Sequence, residues 1–163
     1  CAMNPCKCGY YGHATKACTC TPKARLAYTA KISGPLLDRI DIHVEVPALD
    51  YNELSRTEPA EPSAEIRSRV IAARAFAAAR TDGALTCNGL MTPADIRRFC
   101  RMDDAGGRLM QTAYDKFALS ARAYDRILKV ARTAADFDKS EIIRKEHVGL
   151  ALQLRSMSKK YWQ

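Results

Sequence analysis

The sequence predicts a mainly α protein. A short α/β segment of one or two strands with a cysteine-rich loop leads into a helical domain of four to five helices. Three observations carry this expectation. Cys6, Cys8, Cys18 and Cys20 crowd into the start of the chain. A period-two apolar run, Ile40 to Val46, follows them. From Ser63 onward apolar residues recur at three- and four-residue steps behind capping residues.

Cys1-Ala2-Met3-Asn4-Pro5 opens without a leading methionine and reads as the end of a strand from inside a longer chain. Two Cys-x-Cys pairs come next, with Gly9 and Gly12 where a tight loop must bend. Thiolates are soft ligands, and four of them satisfy a tetrahedral zinc ion. One residue between partners keeps two sulfurs on the same side of a turn, although structural zinc ligands are more often two to four residues apart. The alternative is a set of incidental reduced thiols, or of thiols that pair as disulfides. His13 is a candidate to replace one sulfur, or else a solvated loop residue. Ser33 to Arg39 reads as one helical turn with proline near its start. Ile40 to Val46 then alternates as a half-buried strand, ended by Pro47, with His43 at its rim.

Pro47, Pro59 and Pro62 among acidic residues mark a linker. The expected division is residues 1–50, then a linker over 51–62, then a helical domain over 63–163. Within that domain Ile66, Val70, Ala73 and Ala77 predict a helix over Ser63–Arg80, capped by Ser63 and closed by Gly83. Thr92-Pro93-Ala94-Asp95 starts a short helix to about Cys100, and Gly107–Ala118 forms another. Asp103 and Asp104 fall in a turn-like stretch facing water. Ser120–Asp136 presents Tyr124, Ile127, Leu128, Ala131 and Ala135 on one face and Arg122, Arg126 and Lys129 on the other. Lys145–Met157 closes the set with Val148, Ala151, Leu152 and Arg155.

Of the 163 residues 47% are apolar, enough for a core. The net charge of +8, from 26 basic and 18 acidic residues, weakly favours a polyanionic partner. Seven cysteines, an odd number, with no signal peptide before them point to a reducing, cytoplasmic setting. No run approaches the ~20 apolar residues of a membrane span, so no membrane partner is expected. The chain holds no Gly-x-x-x-x-Gly-Lys-Ser/Thr loop, no Gly-x-Gly-x-x-Gly and no Gly-x-Ser-x-Gly. Self-contained catalysis is therefore not expected.

Three blocks carry a resemblance: Ala2-Met3-Asn4-Pro5-Cys6-x-Cys8-Gly9-Tyr10-Tyr11-Gly12, Ile32 to Val46 through Leu36-Leu37-Asp38-Arg39, and Leu119 to Thr133. Together they resemble the carboxy-terminal half of bacterial magnesium-chelatase-like AAA+ ATPases. The stretch from Asp50 to Phe117 matches only as a helical pattern. The resemblance implies that residues 1–50 end an AAA+ core with the Cys-x-Cys loop inserted, and that 63–163 form its helical lid. It assigns Asn4 to sensor 1, an amide that can both donate and accept beside the γ-phosphate. Arg39 matches the arginine finger that reaches a neighbouring subunit's nucleotide, a contact worth roughly 10³ to 10⁵ in rate in other NTPases. Arg122 matches sensor 2, at a helix start whose dipole also favours phosphate. The surface alternatives are a strand-end turn for Asn4, a pair with Asp38 or Asp41 for Arg39, and a solvated face for Arg122, Arg126 and Lys129.

ATP and Mg²⁺ belong to the full-length protein, because the phosphate-loop lysine and the metal-holding acids of the family have no counterpart in these residues. This stretch alone is expected to be inactive. The resemblance implies a hexameric ring acting as a DNA helicase or branch-migration motor on single-stranded or branched DNA in natural transformation and recombination. Tyr10, Tyr11, Arg126 and Lys129 are its candidate DNA contacts. The alternatives are the ATPase subunit of a magnesium chelatase, from which the Cys-x-Cys loop departs, and a non-enzymatic zinc module that binds nucleic acid.

Overall fold

The computed structural model describes residues 1–47, 51, 55 and 60–162, with side chains as far as 155. The chain divides into two compact units: residues 1–57 together with 156–163, and residues 58–155. Most of the expected linker, 52–54 and 56–59, lies outside the described residues.

In the first unit helix α1 spans Pro22–Thr29. Thr21 caps it by accepting from the Ala24 amide at 3.2 Å, and Pro22, which needs no donor, begins it. The sequence reading missed this helix although Thr-Pro is a start signal. Helix α2, Gly34–Leu37, is the expected single turn, capped by Ser33 Oγ on the Leu36 amide. Two strand expectations fail. Neither residues 1–4 nor Ile40–Val46 form a strand among the described residues. A strand exists only as a member of a ladder, and the described part of the unit offers no partner strand. Ile42, Val44 and Val46 are accordingly 48%, 69% and 86% exposed.

The second unit is helical. Helix α3 spans Ser63–Arg80, as the spacing predicts, but its cap is Pro62 and no side chain closes its start. Gly83 ends it at φ +74°, donating to Ala78 O at 2.9 Å. A 3₁₀ turn, Asn88–Leu90, precedes α4, Pro93–Phe99. Thr92 and Asp95 form a reciprocal capping box there, at 3.3 and 2.8 Å. Helix α5, Asp104–Phe117, starts three residues before the expected Gly107. Asp103 is its cap, accepting from the Gly106 amide at 2.6 Å, so this carboxylate does not simply face water. A Cβ on Gly106 would sit 2.9 Å from that carboxylate oxygen and 3.4 Å from the Arg144 backbone. Helix α6, Ala121–Phe137, begins under Ser120, whose Oγ accepts from Ala123 N at 3.1 Å. Helix α7, Lys145–Trp162, runs past the expected Met157.

The predicted stripe of α6 builds the core. Ile127, Ala131 and Ala135 are wholly buried among Met91, Ile96, Met110, Ile143, Val148 and Ala151. Helices α3 and α4 and the 3₁₀ turn pack on α6. Beside this core lies a polar network that the sequence did not announce. Asp136, 1% exposed, accepts from Arg80 at 3.0 Å, from Asn88 at 2.6 Å and from the wholly buried Arg132 at 3.0 Å. Arg132 also donates to the carbonyls of Glu141, at 2.8 Å, and Ser140. Burial pulls the Arg132 guanidinium below its usual pKa, and Asp136 opposes that. At the start of α7 the Arg144 amide donates to His147 Nδ1 at 2.9 Å. The ring's proton therefore sits on Nε2, 2.9 Å from Asp138 Oδ2.

Candidate functional site

The four cysteines of the two Cys-x-Cys pairs converge. Each offers a sulfur, and all four sulfurs lie within 4.8 Å of one another. Cys6 is wholly buried, and Cys8, Cys18 and Cys20 are half-buried. The Sγ separations are 3.3 Å for Cys6 and Cys8, 3.7 Å for Cys6 and Cys18, and 3.5 Å for Cys8 and Cys18. Four sulfurs held ~2.3 Å from one tetrahedral ion stand about 3.8 Å apart, so the cage fits a metal, whereas a disulfide needs ~2.05 Å.

Local backbone explains the convergence. Gly9, at φ +84°, turns the chain directly after Cys8, and its amide closes the turn on Cys6 O at 3.0 Å. The Tyr10 backbone amide is the main influence holding the Cys8 thiol down to about 5, with the neighbouring thiols adding to it against burial. A thiolate already formed is the form a metal takes. At Cys20 the Cys8 backbone pulls downward, but hydrogen bonding from the Cys8 side chain and burial outweigh it and leave that thiol at about 11. His13 takes no place in the cage. Its Nδ1 accepts from the amides of Thr15 and Lys16, both at 3.2 Å, and its ring meets Tyr10 edge-on at 5.6 Å.

Tyr10 and Tyr11 flank the cage, 37% and 39% exposed. The Lys16 ammonium stands 5.1 Å from the Tyr10 ring centre, and the Arg25 guanidinium, carried by α1, 4.4 Å from that of Tyr11. Lys16 and Arg25 were not singled out in the sequence. The signal that could have found them is that no Asp or Glu precedes Asp38, while Lys7, Lys16, Lys23, Arg25 and Lys31 do.

Asn4 lies exposed against Gly9, where an added Cβ would come 3.8 Å from its Nδ2. It stands beside the cysteine loop instead of ending a strand. Arg39 follows α2 and is exposed, its amide fixed on Leu36 O at 3.0 Å. Arg122, in the other unit, is exposed at the second position of α6, where the first turn carries no acidic residue. An uncompensated helix start with an arginine on it is suited to an anion. Arg126 is half-buried on the same helix. Lys129 is already engaged, donating to Gly89 O at 2.9 Å and tying α6 to the 3₁₀ turn.

The family model for magnesium chelatase, subunit ChlI C-terminal, matches residues 60–155, and that for magnesium chelatase, subunit ChlI, matches residues 1–54. The chain belongs to the magnesium chelatase ChlI family. This is a family of AAA+ ATPase type. The chain is 37% identical over 160 residues to the Escherichia coli protein named uncharacterized protein YifB, covering 97% of this chain and 30% of that protein. It is 36% identical over 157 residues to competence protein ComM of Haemophilus influenzae, covering 96% and 30%. To the uncharacterized protein Rv2897c of Mycobacterium tuberculosis it is 33% identical over 159 residues, covering 94% and 30%. The chain thus spans about 30% of the length of these relatives. No helix among the described residues is long and apolar enough to cross a membrane.

Proposed function

We propose that this chain is the sensor and lid portion of a ring-forming ATPase that moves DNA strands in natural transformation and recombination, as a helicase or branch-migration motor. The observation that carries the reading is the pairing of a four-thiol cage, set in sequence with no acidic residue before Asp38, with the family match over both units. A protein named competence protein ComM is among the relatives that match along almost the whole chain. The cage holds zinc as a structural ion, because a closed all-sulfur tetrahedron leaves no open position for substrate. Zinc there braces a loop with little apolar core of its own.

ATP and Mg²⁺ belong to the full-length protein, and three residues of this chain have separate roles toward the nucleotide. Asn4 orients the attacking water as sensor 1. Arg39, exposed on a backbone-fixed turn, reaches the nucleotide of the next subunit in a hexamer as the arginine finger, where its planar charge stabilises the transferring phosphoryl group. Arg122 senses the phosphates from the start of α6, and the lid moves as a rigid body when they leave. The work is done in the cytoplasm on single-stranded or branched DNA.

The test is ATP hydrolysis and forked-DNA unwinding by the full-length protein, comparing wild type with Arg39→Ala. Both activities should fall by roughly 10³-fold or more. Unwinding that survives the substitution removes the finger from Arg39. Porphyrin-dependent ATP turnover without DNA unwinding would favour the chelatase reading instead.

A further inference from the structure

The basic, aromatic surface around the cysteine cage has a chemistry of its own. From Cys1 to Leu37 the chain carries five basic residues and no acidic one, a bias stronger than the net +8 of the whole chain conveys. Four zinc-bound thiolates would carry a local charge of about −2, and the five cations outweigh it. The field around the loop stays positive with the metal in place. Two of those cations are not spread at random. Lys16 stands over Tyr10 and Arg25 over Tyr11, at 5.1 and 4.4 Å from the ring centres, and both residues keep more than a third of their surface in water.

We propose that Tyr10 with Lys16 and Tyr11 with Arg25 form two adjacent stacking platforms that hold single-stranded DNA beside the cysteine cage. This rests on the DNA reading above and narrows it to one strand and four named side chains. A ring stacks on the face of an unpaired base whatever its identity, whereas a paired base shows no face to it. The cation over each ring covers one face, so the base takes the opposite face and the cation meets the phosphate that links successive bases. Cys6 to Tyr11 is one short loop, and the Gly9 turn fixes the two tyrosines relative to the sulfur cage. The cage thus sets the platform geometry without touching the strand. Lys16 and Arg25 come from separate segments, the loop after His13 and helix α1, so the platforms require the folded loop and do not survive as a linear peptide motif.

The test uses the full-length, zinc-loaded protein and a short fluorescein-labelled oligothymidylate, read by fluorescence anisotropy across a salt series. The double variant Tyr10→Ala/Tyr11→Ala should bind about 10-fold or more weakly, and Tyr10→Phe/Tyr11→Phe should bind like wild type because the stacking face remains. Lys16→Gln/Arg25→Gln should shallow the salt slope by about 1.4, two phosphate contacts at ~0.7 each on a single strand. Zinc content, measured on every variant, separates lost contacts from a lost loop. Wild-type affinity and slope in the Ala and Gln pairs would overturn the platforms while leaving the DNA motor intact. So would a Phe pair as weak as the Ala pair, or an equal loss on blunt duplex. A full-length protein that hydrolyses ATP yet binds no oligonucleotide would overturn the DNA reading and this surface with it.

Discussion

In residues 58–155 wholly buried Ile127, Ala131, Ala135, Ile143, Val148 and Ala151 hold the helices together, with the Asp136 network beside them. In residues 1–57, among the described residues, Cys6 and Thr29 are the buried ones, while Leu26 and Leu36 are 62% and 47% exposed. The same chain therefore holds one unit ordered by burial of apolar surface and another with a cage of four sulfurs in place of an apolar core. Small units that cannot bury enough apolar surface substitute a metal or a cross-link for it. The difference teaches that the two halves should fail separately and for different reasons.

The largest break in that contrast is metal removal. Structural zinc contributes on the order of 10 kcal/mol to small cysteine sites. Stripping it with a chelator should open residues 1–47 to trypsin at Lys23, Arg25 and Lys31 and leave the thermal unfolding of the helical unit where it was. Equal protease resistance with and without metal would show that apolar contacts, and not the cage, order the loop.

Next comes Asp136→Ala, which strands the wholly buried Arg132 and leaves Arg80 facing Asn88 alone. Breaking a buried pair from one side costs about 3–5 kcal/mol. Urea unfolding should show a loss of that size in the helical unit, with zinc content unchanged. A loss below ~1 kcal/mol would mean that the network is replaceable and that the core alone orders this unit.

The smallest effect lies at the α4 cap. Thr92→Ala should cost about 1 kcal/mol of helical-unit stability. The Thr92 side chain and, after it, its backbone amide hold the Asp95 carboxyl below its usual pKa. A depressed carboxylate stabilises the fold above its unfolded pKa of ~3.9 and loses that contribution as pH falls through the lower folded value. Melting temperatures between neutral and acid pH should therefore fall less steeply on acidification in Thr92→Ala than in wild type. Identical pH slopes would remove the cap from the account.

Helices α4 and α6 were legible because each begins at a capping hydroxyl, Thr92 or Ser120, before a helical run. Helix α5 was placed late because two glycines at 106 and 107 mask a start that Asp103 makes by capping. Helix α1 was missed for want of an apolar stripe, despite Thr21-Pro22. The strand at Ile40–Val46 was read from alternation alone, and alternation cannot supply a partner. The cage was legible as four cysteines, but not the cations over Tyr10 and Tyr11, since Arg25 comes near Tyr11 only when α1 folds. Arg132 and Asp136 look like an ordinary surface pair four residues apart. The approach of Arg80 and Asn88, distant in sequence, and of the Ser140 and Glu141 carbonyls makes them a buried centre.

Helix α6 has a mechanical consequence. Its 17 residues make a rod of about 25 Å, with Arg122 near one end and Arg132 toward the other. Arg132 bolts the far end to the carbonyls of Ser140 and Glu141, and the Asp138–His147 contact clamps the following corner to the root of α7. A corner fastened at both carbonyl and imidazole resists bending. A tug on the Arg122 side chain is then delivered to α7 as a turn of the whole elbow, as a crank turns its shaft.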